Sequence, residues 1–275
     1  MIAIVDYHKG NLKSVERGLA AAGGDVLVTD DAAAIAHADA VVLPGVGAFA
    51  DAAATMQALG QAGVVRERIA AGVPFLGICL GMHLMFEEGM EGAPDEDDDR
   101  STHNARGLAV LPGVVGPLPR TDAQGRPYKI PHVGWNSVEF CNASDCHPER
   151  SALPVSSRAE RSVAEGSHAA AAGSATGLAS RAGSLDCAPF GRSARDDSSP
   201  CPLFAGIGAG TYFYFTHGFA VPDGPFAVAE TTHSVTFPCA VQYGEAAFGV
   251  QFHPEKSSDA GAALLRNFVN IVKGA

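Results

Sequence analysis

The chain has 275 residues, 47% of them hydrophobic and 18% charged, which suits one large α/β domain or two small ones and is ample for a core. Nineteen basic residues against 30 acidic ones leave a net charge of -11, which disfavours extended binding to nucleic acid or anionic lipid. No apolar run reaches the length of a membrane span, and the start Met1-Ile2-Ala3-Ile4-Val5-Asp6 has no basic n-region, so a cytoplasmic chain without a secretory signal is the expectation.

In chain order, 2–6 reads as a buried strand. Asn11 can cap a helix that shows Leu12, Val15 and Leu19 on one face and stops at Gly23-Gly24. Strands follow at 26–28 and 40–43, the latter ending at Pro44-Gly45. A helical pattern runs over 49–71, and a strand over 74–78 leads into Cys79. This β-α-β-α order predicts a parallel sheet with helices on both faces. Residues 87–99 hold eight acids without a Lys or Arg and read as a solvated loop. Beyond them, shorter strands at 107–111, 128–130, 137–140, 211–215, 226–229 and 240–243 follow one another as in a meander. One more strand is expected at 248–252, before a final helix that buries Leu264, Leu265, Phe268, Val269 and Val272.

Residues 141–200 have a different texture. They contain 13 Ala, 12 Ser, 5 Gly and 4 Pro, their only aromatic residue is Phe190, and apolar periodicity is absent. Such a stretch buries too little surface to offset its ordering entropy, so it reads as a disordered insertion at about 141–201 in a single domain. Of the six cysteines, Cys141, Cys146, Cys187 and Cys201 flank or lie within it. Nothing else in the chain looks secretory, so free thiols are expected. Cys141, Cys146 and His147 match no standard zinc spacing, and no metal site is expected.

Three stretches carry chemistry. In Pro74-Phe75-Leu76-Gly77-Ile78-Cys79-Leu80-Gly81-Met82 an apolar strand enters Gly-x-Cys-x-Gly and then a helix, which is the cysteine form of a nucleophile elbow. A thiol at a helix N-terminus is favoured as thiolate. In Phe248-Gly249-Val250-Gln251-Phe252-His253-Pro254-Glu255, residues two apart in extended chain share a side. Glu255 can therefore orient His253 while the other imidazole nitrogen faces a thiol, as in a triad. In Leu43-Pro44-Gly45-Val46-Gly47-Ala48-Phe49 a glycine-rich turn can offer backbone N–H groups to an anion, whereas as a dinucleotide fingerprint it lacks the third glycine. Each stretch also has a structural reading: a core cysteine, a strand-end histidine and a plain strand-to-helix turn.

The first two motifs, in this order and on suitable elements, resemble those of the class I (triad) glutamine amidotransferases. Asp6-Tyr7-His8-Lys9-Gly10-Asn11, the Pro44-Gly45-Val46-Gly47 turn, Pro131-His132-Val133-Gly134-Trp135-Asn136 and Tyr212-Phe213-Tyr214-Phe215-Thr216-His217-Gly218-Phe219 narrow the resemblance. They point to the glutaminase subunits that serve a cyclase in histidine biosynthesis. The resemblance covers about 1–140 and 202–275 and implies a flavodoxin-like α/β fold with a mostly parallel or mixed sheet. It implies Cys79 as nucleophile, His253 as base and Glu255 as its orienter, acting on L-glutamine without a cofactor. It further implies Gly45, Val46 and Gly47 as the oxyanion turn, and Leu80, His83, Gly218 and Phe219 at the substrate. Asn11, Pro131, Trp135 and Asn136 are implied at an interface with a (β/α)8-barrel cyclase subunit, in a heterodimer that conducts ammonia. The family commonly has Gln where His83 stands and Gly where His8 stands. Competing readings are a stand-alone glutaminase, an amidotransferase subunit of another pathway such as aminodeoxychorismate or anthranilate synthesis, and a binding subunit that has lost catalysis.

Overall fold

A computed structural model describes residues 1–93, 104–141 and 201–274. The first part of the chain alternates strand and helix as expected. It runs β1 (Ile2–Val5), α1 (Leu12–Ala21), β2 (Val26–Thr29), α2 (Ala32–Ala36), β3 (Ala40–Gly45), α3 (Phe49–Ala58), α4 (Gln61–Ala70), β4 (Phe75–Cys79) and the single turn α5 (Leu80–His83). After it come β5 (Phe86–Gly89), β6 (Ala105–Arg106), β7 (Leu111–Pro117), β8 (His132–Phe140), β9 (Thr211–His217), β10 (Phe219–Ala220), β11 (Ala227–Thr232), β12 (Thr236–Tyr243), β13 (Ala247–Val250) and α6 (Ser258–Gly274).

Nine strands form one sheet in the order β2-β1-β3-β4-β13-β12-β11-β8-β9. From β2 to β13 neighbours are parallel, and from β13 outward they are antiparallel. The sheet is therefore mixed, with helices on both faces of its parallel part. The alternation within β1 shows how the two faces are built. Ile2 and Ile4 point to a core shared with Val15 and Leu19 of α1 and with Leu264, Leu265, Phe268 and Val269 of α6. Ala3 and Val5 point to the opposite core, with Ile35 of α2, Phe49 and Met56 of α3, and Val65 and Ile69 of α4. Each fully buried large side chain contributes roughly 1.5–3 kcal/mol, so strands apolar on both faces hold the centre of this sheet. A second sheet has the order β10-β7-β5-β6.

Several expectations change. The pattern over 49–71 is two helices, because Gly60 takes φ 69°, a left-handed conformation that ends the first and admits the second. Asn11 precedes α1 but makes no side-chain capping bond. The short α2, unexpected from periodicity, is capped by Asp31, whose carboxylate accepts from Ala33 N at 2.9 Å. No strand forms at 128–130, where Tyr128 N bonds back to Arg120 O across a small loop. The strand expected at 137–140 begins earlier, at His132, because β9 pairs with it from His217↔His132 through Thr211↔Val138. Val272 is only partly buried.

The acidic stretch is not a plain solvated loop where it is described. Glu87 and Glu88 lie in β5, Glu87 accepts from Gly113 N at 2.9 Å, and Glu88 accepts from Asn104 Nδ2 at 2.8 Å. Its residues 94–99, and 142–200 of the expected insertion, lie outside the described residues. Among the described residues no helix is long and apolar enough to cross a membrane.

Candidate active site

The parallel strands β1, β3 and β4 deliver their C-terminal ends to one edge, the place where open α/β sheets bind ligands. β4 ends at Cys79, opposite Gly45 in register. Cys79 sits at φ 53°, ψ -108°, a strained conformation for a residue with a Cβ. The elbow turns this tightly because its glycines lack side chains. A Cβ on Gly77 would stand 2.7 Å from the Gly81 backbone, and one on Gly81 would overlap Leu43 O. α5 starts directly after the cysteine but spans only four residues, so its dipole is that of one turn.

His253 comes from the other side, three residues past β13, and its Nδ1 lies 2.9 Å from Glu255 Oε1. The local chain is not extended as expected. Pro254 opens a 3-10 turn over Pro254–Lys256, and this turn, not a strand, brings the two side chains together. His253 N donates to Tyr214 O at 2.9 Å, and Ser257 Oγ donates to His253 O at 2.7 Å, so the turn is anchored to β9. Both side chains are enclosed, and Glu255 Oε2 has no partner among the described residues. Burial lowers the pKa of His253, but hydrogen bonds to Cys79 and Glu255 outweigh it and raise the pKa to about 9. The imidazole thus bridges the cysteine and the carboxylate, which suits it to carry a proton between sulfur and a leaving group.

Gly45, Val46 and Gly47 lie beside Cys79, with Gly47 at φ 102° and Val46 at 42% exposure. The buried Leu80 packs against Gly45, where a Cβ would lie 2.8 Å from its own. Tyr7, which has no role in the sequence motifs, presses its enclosed hydroxyl against the same glycine, within reach of the Val46 backbone. Burial raises the pKa of that hydroxyl, and the charge of Cys79 adds to the effect.

The end of β9 approaches the sulfur, with Thr216 O 3.8 Å from Cys79 Sγ. Gly218 and Phe219 follow it, and Phe219 O is held 2.7 Å from His217 Nδ1. His217 in turn meets His132 at 3.1 Å, and His132 stacks on His233 at 4.2 Å. The sequence motifs contain His132 and His217, but their mutual contact depends on strand pairing that no local pattern shows.

His83 does not stand open at the surface. It is buried, and its Nε2 lies 2.7 Å from Gln251 Oε1. Asn11 and Pro131 are exposed, and Trp135 is 50% exposed with its ring edge-to-face on Tyr214 at 6.0 Å. Asn136 donates to Thr232 O at 2.7 Å, so its amide ties β8 to β11. The structure thus gathers Cys79, His253, Glu255, Leu80 and the 45–47 turn at one point, while Trp135 lies on the outer antiparallel strand β8 and Pro131 directly before it. Among the described residues, no group of three or more His, Cys, Asp or Glu is placed to hold a metal ion.

The buried histidines predict a two-sided pH profile of stability. Burial lowers the pKa of His83 to about 4 and that of His217 to about 3. Burial, then the neighbouring His233, lowers that of His132 to about 4. Their stabilising contribution is complete above pH 6.5 and is lost as pH falls through these values. His253 is raised, so its contribution is complete below pH 6.5 and is lost as pH rises through about 9. The thermal midpoint is therefore expected to peak near pH 6.5, with the unfolding free energy falling on the acid side by on the order of 3 kcal/mol for each fully buried histidine. A midpoint that stays level from pH 4 to 9 in a calorimetric series would contradict this.

The profile of the family described as Glutamine amidotransferase class-I matches residues 3–152 and 177–272. Proteins called imidazole glycerol phosphate synthase subunit HisH are similar along the whole chain. The one from Moorella thermoacetica is 36% identical, with 100% of this chain and 96% of the relative aligned. The one from Nocardia farcinica is 36% identical over 98% and 97%, and the one from Salinibacter ruber 35% identical over 98% and 93%. Among solved structures, one titled as a glutamine amidotransferase superposes with a TM-score of 0.57 at 15% identity, covering 99% of this chain and 98% of that one. The structure of PurLQS from Thermotoga maritima gives a TM-score of 0.55 at 12% identity over 98% and 97%. These two likenesses speak for the fold.

Proposed function

The chain belongs to the class I glutamine amidotransferase family, and from that premise we propose that it is the glutaminase subunit of an imidazole glycerol phosphate synthase. The observation that carries the activity is the Cys79 elbow joined through His253 to Glu255, 2.9 Å away. Likeness along the whole chain to the HisH subunits supports the pathway.

In this reading Cys79 attacks the side-chain carboxamide carbon of L-glutamine after passing its proton to His253. The backbone of Gly45, Val46 and Gly47 receives the negative charge on the carbonyl oxygen. His253 returns the proton to the departing nitrogen, ammonia leaves, and a γ-glutamyl thioester remains. Water, deprotonated by His253, hydrolyses the thioester to glutamate and frees the thiol. Leu80, His83, Gly218 and Phe219 surround the glutamine, and Glu255 holds the imidazole in the orientation that faces sulfur. The reaction needs no cofactor.

Ammonia released into water becomes ammonium, so the product must pass directly to its acceptor. The partner in this proposal is the (β/α)8-barrel cyclase subunit, which uses ammonia to form imidazole glycerol phosphate and aminoimidazole carboxamide ribotide in the cytoplasm. Trp135, exposed beside Val133 and Tyr212, presents an apolar patch on β8 and β9 suited to such docking, with Pro131, Asn136 and Asn11 as further contacts. Residues 1–275 form one amidotransferase domain interrupted at about 141–201. The edge-to-face contact of Phe140 with Phe204, ring centroids 5.2 Å apart, supports this, because it brings the two ends of the interruption together.

Glutamate production by the purified chain, measured alone and with the cyclase subunit and its ribotide ligand, tests the proposal. Activation of at least about a hundredfold by the liganded cyclase is expected, equivalent to about 2.7 kcal/mol. High activity without a partner would favour a stand-alone glutaminase, and none in either state a subunit that has lost catalysis.

A further inference from the structure

Gln251 follows β13, one residue beyond Val250, which pairs with Ile78 of β4, and so stands level with Cys79. Its side chain is wholly enclosed, between His83 on one side and Cys79 on the other. Gln251 Oε1 lies 2.7 Å from His83 Nε2, and Gln251 Nε2 lies 3.6 Å from Cys79 Sγ. The remaining nitrogen of the ring, His83 Nδ1, is buried without a partner among the described residues.

These contacts determine where the protons sit. A buried N–H without an acceptor is rarer in folded proteins than a lone pair without a donor. Nδ1 is therefore the bare nitrogen, and Nε2 carries the hydrogen of the neutral ring. The ring donates to Gln251 Oε1, which leaves the amide only its NH2 group to turn towards sulfur. Burial keeps the imidazole neutral across the working range, with its pKa pushed down to about 4. A donor aimed at sulfur favours thiolate over thiol.

We infer that His83 is a positioning residue that locks the Gln251 amide so that its NH2 donates to Cys79 and favours the thiolate. The inference rests on Cys79 being the nucleophile and adds a task to a position otherwise assigned to glutamine binding.

The test is the rate of Cys79 alkylation by iodoacetamide from pH 6 to 10 in the full chain, with the Cys79→Ala chain supplying the background of the other thiols. Gln251→Met keeps the volume and removes the donor, and His83→Phe keeps a planar ring without nitrogens. Each is expected to slow alkylation at pH 7 about five- to tenfold while leaving the rate at pH 10 near the parent's. The double variant is expected to be no slower than Gln251→Met, because both changes break one path. His83→Gln restores a donor to Gln251 and is expected to bring the profile back. Where His83→Phe does not fold, Gln251→Met and His83→Gln decide the matter alone. A packing role would lower the thermal midpoint and leave the pH profile unchanged. A parent-like profile in folded Gln251→Met or His83→Phe, a slowed profile in His83→Gln, or an additive double variant overturns the inference. Glutamine hydrolysis by Cys79→Ala instead removes the nucleophile assignment on which it stands.

Discussion

Replacing Cys79 by Ala is expected to reduce glutamine hydrolysis by at least about 10⁴-fold, because the thiol is the only atom in the proposed sequence that bonds to substrate carbon. The fold should survive. Cys79 contributes a small, nearly buried side chain to the core, and one lost sulfur there costs about 1 kcal/mol. The backbone strain at φ 53° remains with Ala, so no relief offsets that loss. Circular dichroism like the parent's, retained association with the cyclase subunit and absent glutamate release form the expected set. His253→Ala should fall nearly as far, since thiol activation and protonation of ammonia both pass through one ring, and removing two members of such a unit costs little more than removing one. Residual turnover by Cys79→Ala at the parent's rate would remove it from the reaction.

Gly81→Ala should strike the fold itself. The added Cβ would overlap Leu43 O, a backbone atom of β3, which lies between β1 and β4 in the sheet. No side-chain rotation relieves that overlap, so either the elbow opens or the strand shifts. A cost of about 4 kcal/mol or more follows, a large part of the stability of an ordinary domain. The thermal midpoint should fall by about 10 °C or the chain should fail to accumulate. Gly63→Ala is the internal comparison. It lies inside α4, where nothing approaches within 4 Å, and the change should leave the midpoint level or raise it slightly. Equal midpoints for Gly81→Ala and the parent would show that the elbow tolerates a side chain and that Gly81 has another reason to be there.

The two substitutions separate what was legible in the chain from what was not. The elbow was legible because its requirement is local. A nucleophile at a strand-to-helix turn needs small residues two positions away on each side, and Gly77 and Gly81 stand there. His253 and Glu255 were legible by their spacing, although the reason differed. The period of two in extended chain places them on one side, whereas Pro254 opens a 3-10 turn that brings the carboxylate onto Nδ1. The order of helices and parallel strands in the first half followed from apolar periodicity. Gly60 leaves no mark as a break in the apolar pattern, which continues through it, and only the backbone angle changes there.

Gln251, His83 and Tyr7 show the opposite case. Gln251 lies in a motif recognised for its histidine and glutamate, and His83 looked like a variant of a glutamine binder. Their contact spans 168 positions of sequence and exists because β13 pairs with β4 in parallel, which brings the residue after Val250 level with Cys79. Likewise the hydroxyl of Tyr7 meets Gly45 because β1 and β3 are neighbours.

By itself the sequence determined which residue types could react and which segments alternate between strand and helix, since both depend on neighbours within a few positions. The tertiary structure decided which buried polar atoms meet. A hydrogen-bond partner across the sheet depends on strand order and register, and the period of two along a strand reveals only which face a side chain takes, never which strand stands beside it.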